Sequence, residues 1–372
     1  MRITFVIPTA SLGGGTRVVA IYGKALMRMG HTVRIVSQPS GPASALKKLR
    51  LRLKGKSIIA RQPSHSHLEG TGLDHHILDL HRPVADRDVP DADVIIATWW
   101  ETAEWVNKLS PSKGSKVYFI QHHEIFPYLP VARCKATYRM PLHKIVVARW
   151  LQEVMSAEYG DTAVDLVPNS VDRNQFFAPD RGRQSTPTVG FLYATAPFKG
   201  LDTLLSALET VRRACPDVRI ISFGSQQPND QFPLPTGAKF FFRPSQDQIR
   251  NLYSQCDVWV TASRSEGFNL PAMEAMACRT PVVSTRTGWP EEAIRSSMNG
   301  VLVDIDDGSG LVNGIQWVLS RSDQEWRALS ENAYATVASS SWEDSAKIFE
   351  EALKRACRRS RCTDITAICS CL

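Results

Sequence analysis

Two glutamates, Glu266 and Glu274, bracket the segment Gly267-Phe268-Asn269-Leu270-Pro271-Ala272-Met273. The apolar run before them, Val258–Thr261, reads as a strand, and Pro271 suits the first residue of a helix, where its missing N–H is no loss. The amides around Phe268, Asn269 and Leu270 would then lack helical partners, and such a helix start holds anions, diphosphate included. Two carboxylates aimed at a phosphate would repel it. As acceptors of hydroxyl hydrogen bonds they would instead anchor a sugar or a ribose. The same residues also read as a helix cap followed by a glutamate that favours the helix dipole, and the sequence alone leaves both readings open.

Three further segments carry chemistry. In Gly190-Phe191-Leu192-Tyr193-Ala194-Thr195-Ala196-Pro197-Phe198-Lys199-Gly200 a strand runs into a loop that ends on Lys199. A lysine there would neutralise a departing diphosphate, or be a solvated surface charge. Gly13-Gly14-Gly15-Thr16 joins the first strand to the first helix, and its glycines let a ligand approach the backbone. It is a poor dinucleotide fingerprint. Val18 stands where the third glycine belongs, and the second strand ends in Ser37-Gln38, with no acidic partner for an adenosine ribose. Gln121-His122-His123-Glu124 follows another strand, where a histidine can meet a hydroxyl or a phosphate. Adjacent histidines are not a usual metal pair, and His65, His67, His75, His76 and His81 lie in a stretch without metal-site spacing.

These groups need elements to hold them. Ile3–Pro8, Thr32–Ser37, Asp93–Thr98, Lys116–Gln121 and Ile145–Ala148 read as buried strands, with Thr16–Met29 a helix between the first two. Another strand is expected near His76–Leu80. After the polar stretch Asn174–Pro187 the rhythm restarts. Strands are expected at Thr188–Leu192, Val218–Phe223, Lys239–Phe242, Val258–Thr261 and Pro281–Ser284, and helices at Leu201–Ala214, Gln246–Gln255 and from Pro271. The β-α-β alternation predicts an α/β protein of two doubly wound, parallel-sheet domains. Their expected extents are 1–172, joined by a returning C-terminal helix within about 341–372, and 173–340. That last helix is read over Trp342–Arg355.

A length of 372 residues, with 43% apolar, suits two cores. No apolar run approaches the roughly 18 residues that span a bilayer, the N-terminus does not read as a secretory signal, and the scattered cysteines fit a reducing cytoplasm. The net charge of +7 is uneven: of 44 Lys/Arg and 37 Asp/Glu, residues 1–168 hold 22 and 14, leaving 22 and 23. The surplus peaks in Lys47–Lys56, where leucines sit among cations. That stretch would allow peripheral contact with an anionic membrane or a phosphate-bearing acceptor, or be a solvated basic helix. Nucleic acid is not expected, because zinc-finger spacings and aromatic RNA-binding motifs are lacking.

The four segments, in this order, resemble the family 4 glycosyltransferases of GT-B fold. The E-x7-E stretch Glu266–Glu274 carries most of the likeness, supported by Pro281-Val282-Val283-Ser284, Gly288, Asn299-Gly300, Val147–Leu151, Val167–Asp172 and Gly30–Val33. The resemblance implies a retaining glycosyltransferase that needs no divalent metal and no cofactor beyond a nucleoside-diphosphate sugar donor. It implies donor binding mainly by the second domain and a glycan or lipid-linked acceptor bound mainly by the first. Residue by residue, it implies that Glu274 holds the ribose and Glu266 the donor sugar. Phe268, Asn269 and Leu270 would offer amides, Lys199 would neutralise the diphosphate beside Gly13 and Gly14, and His122 would lie near the sugar. One departure stands out. The family has an arginine where Phe191 stands, so its charge must come from elsewhere, with Arg243 and Arg264 as candidates. Two rivals remain: a nucleotide-sugar epimerase, which would turn over donor without acceptor, and a catalytically silent nucleotide-sugar-binding scaffold, which the complete E-x7-E and Lys199 speak against.

Overall fold

The computed structural model describes residues 1–40 and 66–369. The basic stretch 47–56, His65 and residues 370–372 lie outside them. The chain forms two compact units, Met1–Pro168 with Trp342–Leu372, and Asn169–Ser341.

The first unit is built on a seven-stranded sheet in the order β3-β2-β1-β4-β5-β6-β7. Its strands are β1 (Arg2–Thr9), β2 (Thr32–Gln38), β3 (Asp74–Ile77), β4 (Val94–Ala97), β5 (Ser115–Ile120), β6 (His143–Val146) and β7 (Asp165–Leu166). All pair in parallel. Ile3, Phe5, Val6 and Ile7 of β1 are all buried, as expected of a central parallel strand covered on both faces. Helices α1 (Gly14–Arg28), α2 (Trp100–Lys108), α3 (Val131–Thr137) and α4 (Arg149–Tyr159) connect them. The chain order runs outward in both directions from β1 and β4, so the crevice beyond their carboxyl ends is the topological switch point, where open α/β sheets take ligands.

The second unit repeats the plan with six parallel strands in the order β10-β9-β8-β11-β12-β13. They are β8 (Thr188–Leu192), β9 (Arg219–Gly224), β10 (Lys239–Phe242), β11 (Val258–Thr261), β12 (Val282–Thr285) and β13 (Gly300–Val303). The switch point falls between β8 and β11. The helices are α5 (Leu201–Ala214), α6 (Gln246–Ser254), α7 (Leu270–Ala277), α8 (Trp289–Ala293), α9 (Gly308–Leu319) and α10 (Asp323–Val337). Their apolar faces close a core around Val189, Phe191, Leu204, Leu208, Val260, Ile315 and Trp326. Capping boxes at Ser245/Gln248 and Ser322/Glu325 start α6 and α10.

The chain then returns to the first unit as α11 (Trp342–Cys369). The Phe349 ring packs 4.6 Å from Tyr22 and 4.9 Å from Phe119, and Trp342 meets Tyr22 edge-on at 5.5 Å. Two doubly wound units, each a parallel sheet flanked by helices, make the fold expected from the sequence. Several boundaries shift. α1 begins at Gly14, two residues before Thr16, and α11 runs past Arg355. β3 begins at Asp74 and ends at Ile77, ahead of the expected His76–Leu80. Pro271 is the second helical residue of α7, because Asn269 in the left-handed region (φ 78°, ψ 62°) takes the N-cap and makes Leu270 the first.

Candidate active site

In the second unit, the loops leaving β8 and β11 meet at the switch point. Gly200 follows Lys199 at φ +60°, and a Cβ there would lie 2.0 Å from the Ala262 carbonyl. Only glycine permits that approach, and it seats Lys199 beside the exit of β11. The amide of Arg264 donates to the Phe198 carbonyl at 2.7 Å, which joins the two loops. From below, Gly288 (φ +63°) would place a Cβ 2.8 Å from the Phe268 carbonyl and 2.9 Å from Glu266 Cβ. The Trp289 amide donates to that carbonyl at 2.8 Å, and the Trp289 ring stacks on Phe268 at 5.9 Å.

The charged groups so positioned form a tight cluster. Lys199 Nζ donates to Glu266 Oε1 at 2.6 Å, and Ser263 Oγ donates to the same oxygen at 2.7 Å. Glu266 is 8% exposed, so this carboxylate is desolvated yet paired, as burial of a charge requires. Lys199, Ser263 and Glu266 line a small cavity with Thr261, Asn269 and Pro271 at the start of α7. Glu274, one turn into α7, is buried, and its Oε2 accepts from the Tyr253 hydroxyl at 2.9 Å. The Tyr253 ring is fixed edge-on to Trp259 at 4.6 Å. Phe268 and Leu270 are buried as well.

The two arginines weighed as substitutes for the residue at Phe191 have partners within the second unit. Arg264 is spent on Asp306 Oδ1 at 2.7 Å, Asp202 Oδ2 at 2.8 Å and the Pro197 carbonyl at 2.9 Å. Arg243, at φ 46°, follows the edge strand β10. It donates through Nε to the Ser225 carbonyl at 3.1 Å and covers the Phe242 ring at 4.9 Å. Phe191 itself is fully buried in the core, so no polar side chain of that position reaches the crevice.

In the first unit, Gly13 caps α1, with its amide donating to Ser11 Oγ at 3.1 Å. Gly13, Gly14 and Gly15 are exposed, and a Cβ on Gly14 would touch nothing within 4 Å. The backbone at this switch point is therefore open to a ligand. The four residues after β5 diverge. Gln121 Nε2 turns to the Gly15 carbonyl at 3.4 Å. His122 is half-buried, packed on Phe126 at 4.9 Å, with Nδ1 donating to the His123 carbonyl at 3.1 Å. His123 Nε2 lies 2.7 Å from the Tyr159 hydroxyl, and burial pulls its pKa down to about 4. Glu124 is wholly buried and accepts from the Trp100 amide at 2.8 Å and the Tyr118 hydroxyl at 3.3 Å. Burial pushes its carboxyl well above the usual carboxylate range. His123 is thus a buried packing residue against α4, and Glu124 a buried carboxyl at the start of α2 that burial holds toward its neutral form.

The histidines of the 65–81 stretch also disperse. His67 Nε2 donates to the Leu12 carbonyl at 3.1 Å, and His75 Nε2 meets Ser37 Oγ at 2.9 Å. Among the described residues, no three His, Cys, Asp or Glu side chains gather as a metal site would need, and no helix is long and apolar enough to cross a membrane. Ser263 and Tyr253 are the site residues that sequence reasoning passed over. Ser263 was within sight, three residues before Glu266. Tyr253 reaches Glu274 only through the packing of α6 on α7.

Residues 172–336 match the family described as Glycosyl transferases group 1. The second unit is related to the group 1 glycosyl transferases. A D-inositol 3-phosphate glycosyltransferase of Segniliparus rotundus is 32% identical over 160 residues, which span 38% of this chain and 36% of that relative. Over both units the fold matches Anabaena HepE in complex with UDP and glucose, at TM-score 0.71 and 17% identity, covering 95% of this chain and 99% of that one. It also matches sucrose-phosphate synthase from Thermosynechococcus elongatus, at TM-score 0.69 and 18% identity with the same coverage. These likenesses show the GT-B fold. The group 1 match covers the whole Lys199–Glu266–Glu274 cluster, so the relationship and the site coincide in one unit.

Proposed function

We propose that this chain is a retaining glycosyltransferase of family 4 that moves a sugar from a nucleoside-diphosphate sugar to a hydroxyl of a glycan or lipid-linked acceptor, without a divalent metal. The observation that carries the reading is the pairing of Lys199 with Glu266 beside the start of α7, at the switch point of the second unit. A diphosphate lies naturally at the amides of Phe268, Asn269 and Leu270, with Lys199 as its cation. Glu274 then holds the ribose and Glu266 the sugar, both as acceptors of hydroxyl hydrogen bonds.

The chemistry needs no protein nucleophile. As the bond from the anomeric carbon to the phosphate oxygen breaks, negative charge grows on the diphosphate, where Lys199 and the amides stabilise it most in the transition state. The acceptor hydroxyl attacks from the face the diphosphate leaves, and its proton passes to the departing phosphate oxygen. The new bond keeps the anomeric configuration, and the products are the glycoside and the nucleoside diphosphate. Anabaena HepE is seen with UDP and glucose, and the Segniliparus rotundus relative is a glycosyltransferase, which supports a nucleotide-sugar donor.

The test has two stages. Thermal melting against UDP-, GDP- and dTDP-sugars should find a donor that raises the midpoint, since a ligand of the folded state stabilises it. Incubation with that donor and an acceptor should then release nucleoside diphosphate and give a product of retained configuration by NMR. Isomerised donor without acceptor would establish the epimerase instead, and binding without either reaction would establish the scaffold.

A further inference from the structure

Asn269 has an unassigned side chain. It is 4% exposed, lines the same cavity as Lys199 and Glu266, and sits at φ 78°, ψ 62°. A chain of buried hydroxyls fixes which way its carboxamide points. Ser284 Oγ donates to the Thr285 carbonyl at 2.9 Å, which uses its only proton. Across the 2.8 Å contact between Thr261 Oγ1 and Ser284 Oγ, Thr261 must therefore be the donor. With its own proton committed, Thr261 Oγ1 can only accept from Asn269, and it does so from Nδ2 at 3.1 Å. A flipped amide would set two lone-pair oxygens against each other with no proton between them. Asn269 Oδ1 is thus an acceptor at the cavity wall that takes no hydrogen bond from the described residues.

Glu266 makes a matching arrangement. Both of its donors, Lys199 and Ser263, converge on Oε1, which leaves Oε2 as a second acceptor in the same cavity. Two acceptors on residues that line one cavity, each oriented by internal bonds, are left unpaired by a ligand that has no donor for them, and unmet acceptors give strong discrimination.

We propose that the Asn269 carboxamide oxygen, with Glu266 Oε2, reads hydroxyl groups of the donor sugar, so that the site selects a hydroxylated sugar against its deoxy counterpart. This rests on the donor-sugar reading of Glu266 given above. The role differs from that of the Asn269 backbone amide, because it belongs to the side chain and is set by Thr261 and Ser284.

Asn269→Gly deletes the carboxamide at a backbone conformation glycine takes without strain. UDP-glucose and GDP-mannose, each with its monodeoxy sugar counterparts, are the probes, and kcat/KM is compared for the wild type and the variant. At one sugar position, the wild type should reject the deoxy donor by tenfold or more, and the variant should lose about tenfold on the parent donor while rejection at that position collapses. Affinity for UDP alone, which lacks the sugar, should stay within twofold and report a folded site. Thr261→Val, which keeps Asn269 but releases its carboxamide, should fall between the two. If the wild type turns over a donor and Asn269→Gly keeps the full deoxy discrimination at every position, the side-chain role is overturned and the function stands. If the wild type neither binds nor turns over any of the UDP-, GDP- and dTDP-sugars of the melting screen, the function falls and this role with it.

Discussion

The two units share the order of their first six strands and have one switch point each, but furnish it differently. At the second unit's switch point a buried glutamate is met by Lys199 and Ser263 at the cavity wall. In the first unit, the buried glutamate that follows β5 is sealed between Trp100, Tyr118 and Tyr138, with its carboxyl raised toward the neutral form. What lies open in the first unit is bare glycine backbone. Burial alone therefore does not make a carboxyl functional. Its partners decide whether it carries charge to a ligand or merely fills the interior.

The largest effect should come from breaking the charged pair. Glu266→Gln and Lys199→Ala are each expected to lower turnover by about 10²–10³, with donor affinity moved only severalfold. Steady-state kinetics beside direct donor binding measures this, and equal losses in turnover and affinity for Lys199→Ala would remove it from the leaving-group role.

Next in size is a pH effect confined to the first unit. His123 titrates near 4 in the folded protein against 6.5 unfolded, so the unfolded chain binds the extra proton between those values. The neutral ring's contribution is complete above pH 6.5 and is lost as pH falls toward 4, by on the order of 1–2 kcal/mol. His123→Gln should flatten that limb in urea melts taken at successive pH values, and an unchanged pH dependence would count against the buried-neutral description.

Smaller again is Tyr253→Phe. It removes the hydroxyl that orients Glu274 and should cost about 1 kcal/mol, read as a roughly fivefold loss in nucleotide affinity with turnover at saturation kept. A loss confined to turnover would break the link between Glu274 and the ribose. The smallest effect is expected for Glu124→Gln, within about 1 kcal/mol of stability and without effect on turnover, because an amide replaces a carboxyl that burial holds toward its neutral form. The raised carboxyl has its full stabilising effect below the ordinary carboxylate pKa and loses it as pH climbs through the folded value. Glu124→Gln should therefore gain on the wild type at alkaline pH.

Much of the fold was legible because buried parallel strands are short unbroken apolar runs. Val258–Thr261, Thr188–Leu192 and Lys239–Phe242 fall where expected. β7 spans only two residues, and α3 begins after Pro130 with no side-chain cap, so neither carries a periodic signal. The site was legible where its parts lie in one segment, as in Glu266 through Glu274. The Glu266–Lys199 pair was not, since its members are 67 residues apart and meet only because Gly200 lets two loops touch. Nor was the divergence of His122, His123 and Glu124, which depends on aromatic side chains from three other elements. The position of Pro271 shows the limit of a local rule: Asn269 adopts a left-handed cap, and the helix starts one residue early.

The return of α11 to the first unit has a consequence for the order of synthesis. Tyr22, Phe119 and Phe5 surround Phe349, which leaves the ribosome after all of residues 169–341. The second unit is contiguous and can complete its core while the chain is still growing. The first unit must wait with an apolar face exposed until its last helix emerges. A nascent chain halted before Trp342 would therefore present a contiguous second unit tethered to a first unit whose Tyr22 and Phe119 lack their Phe349 cover.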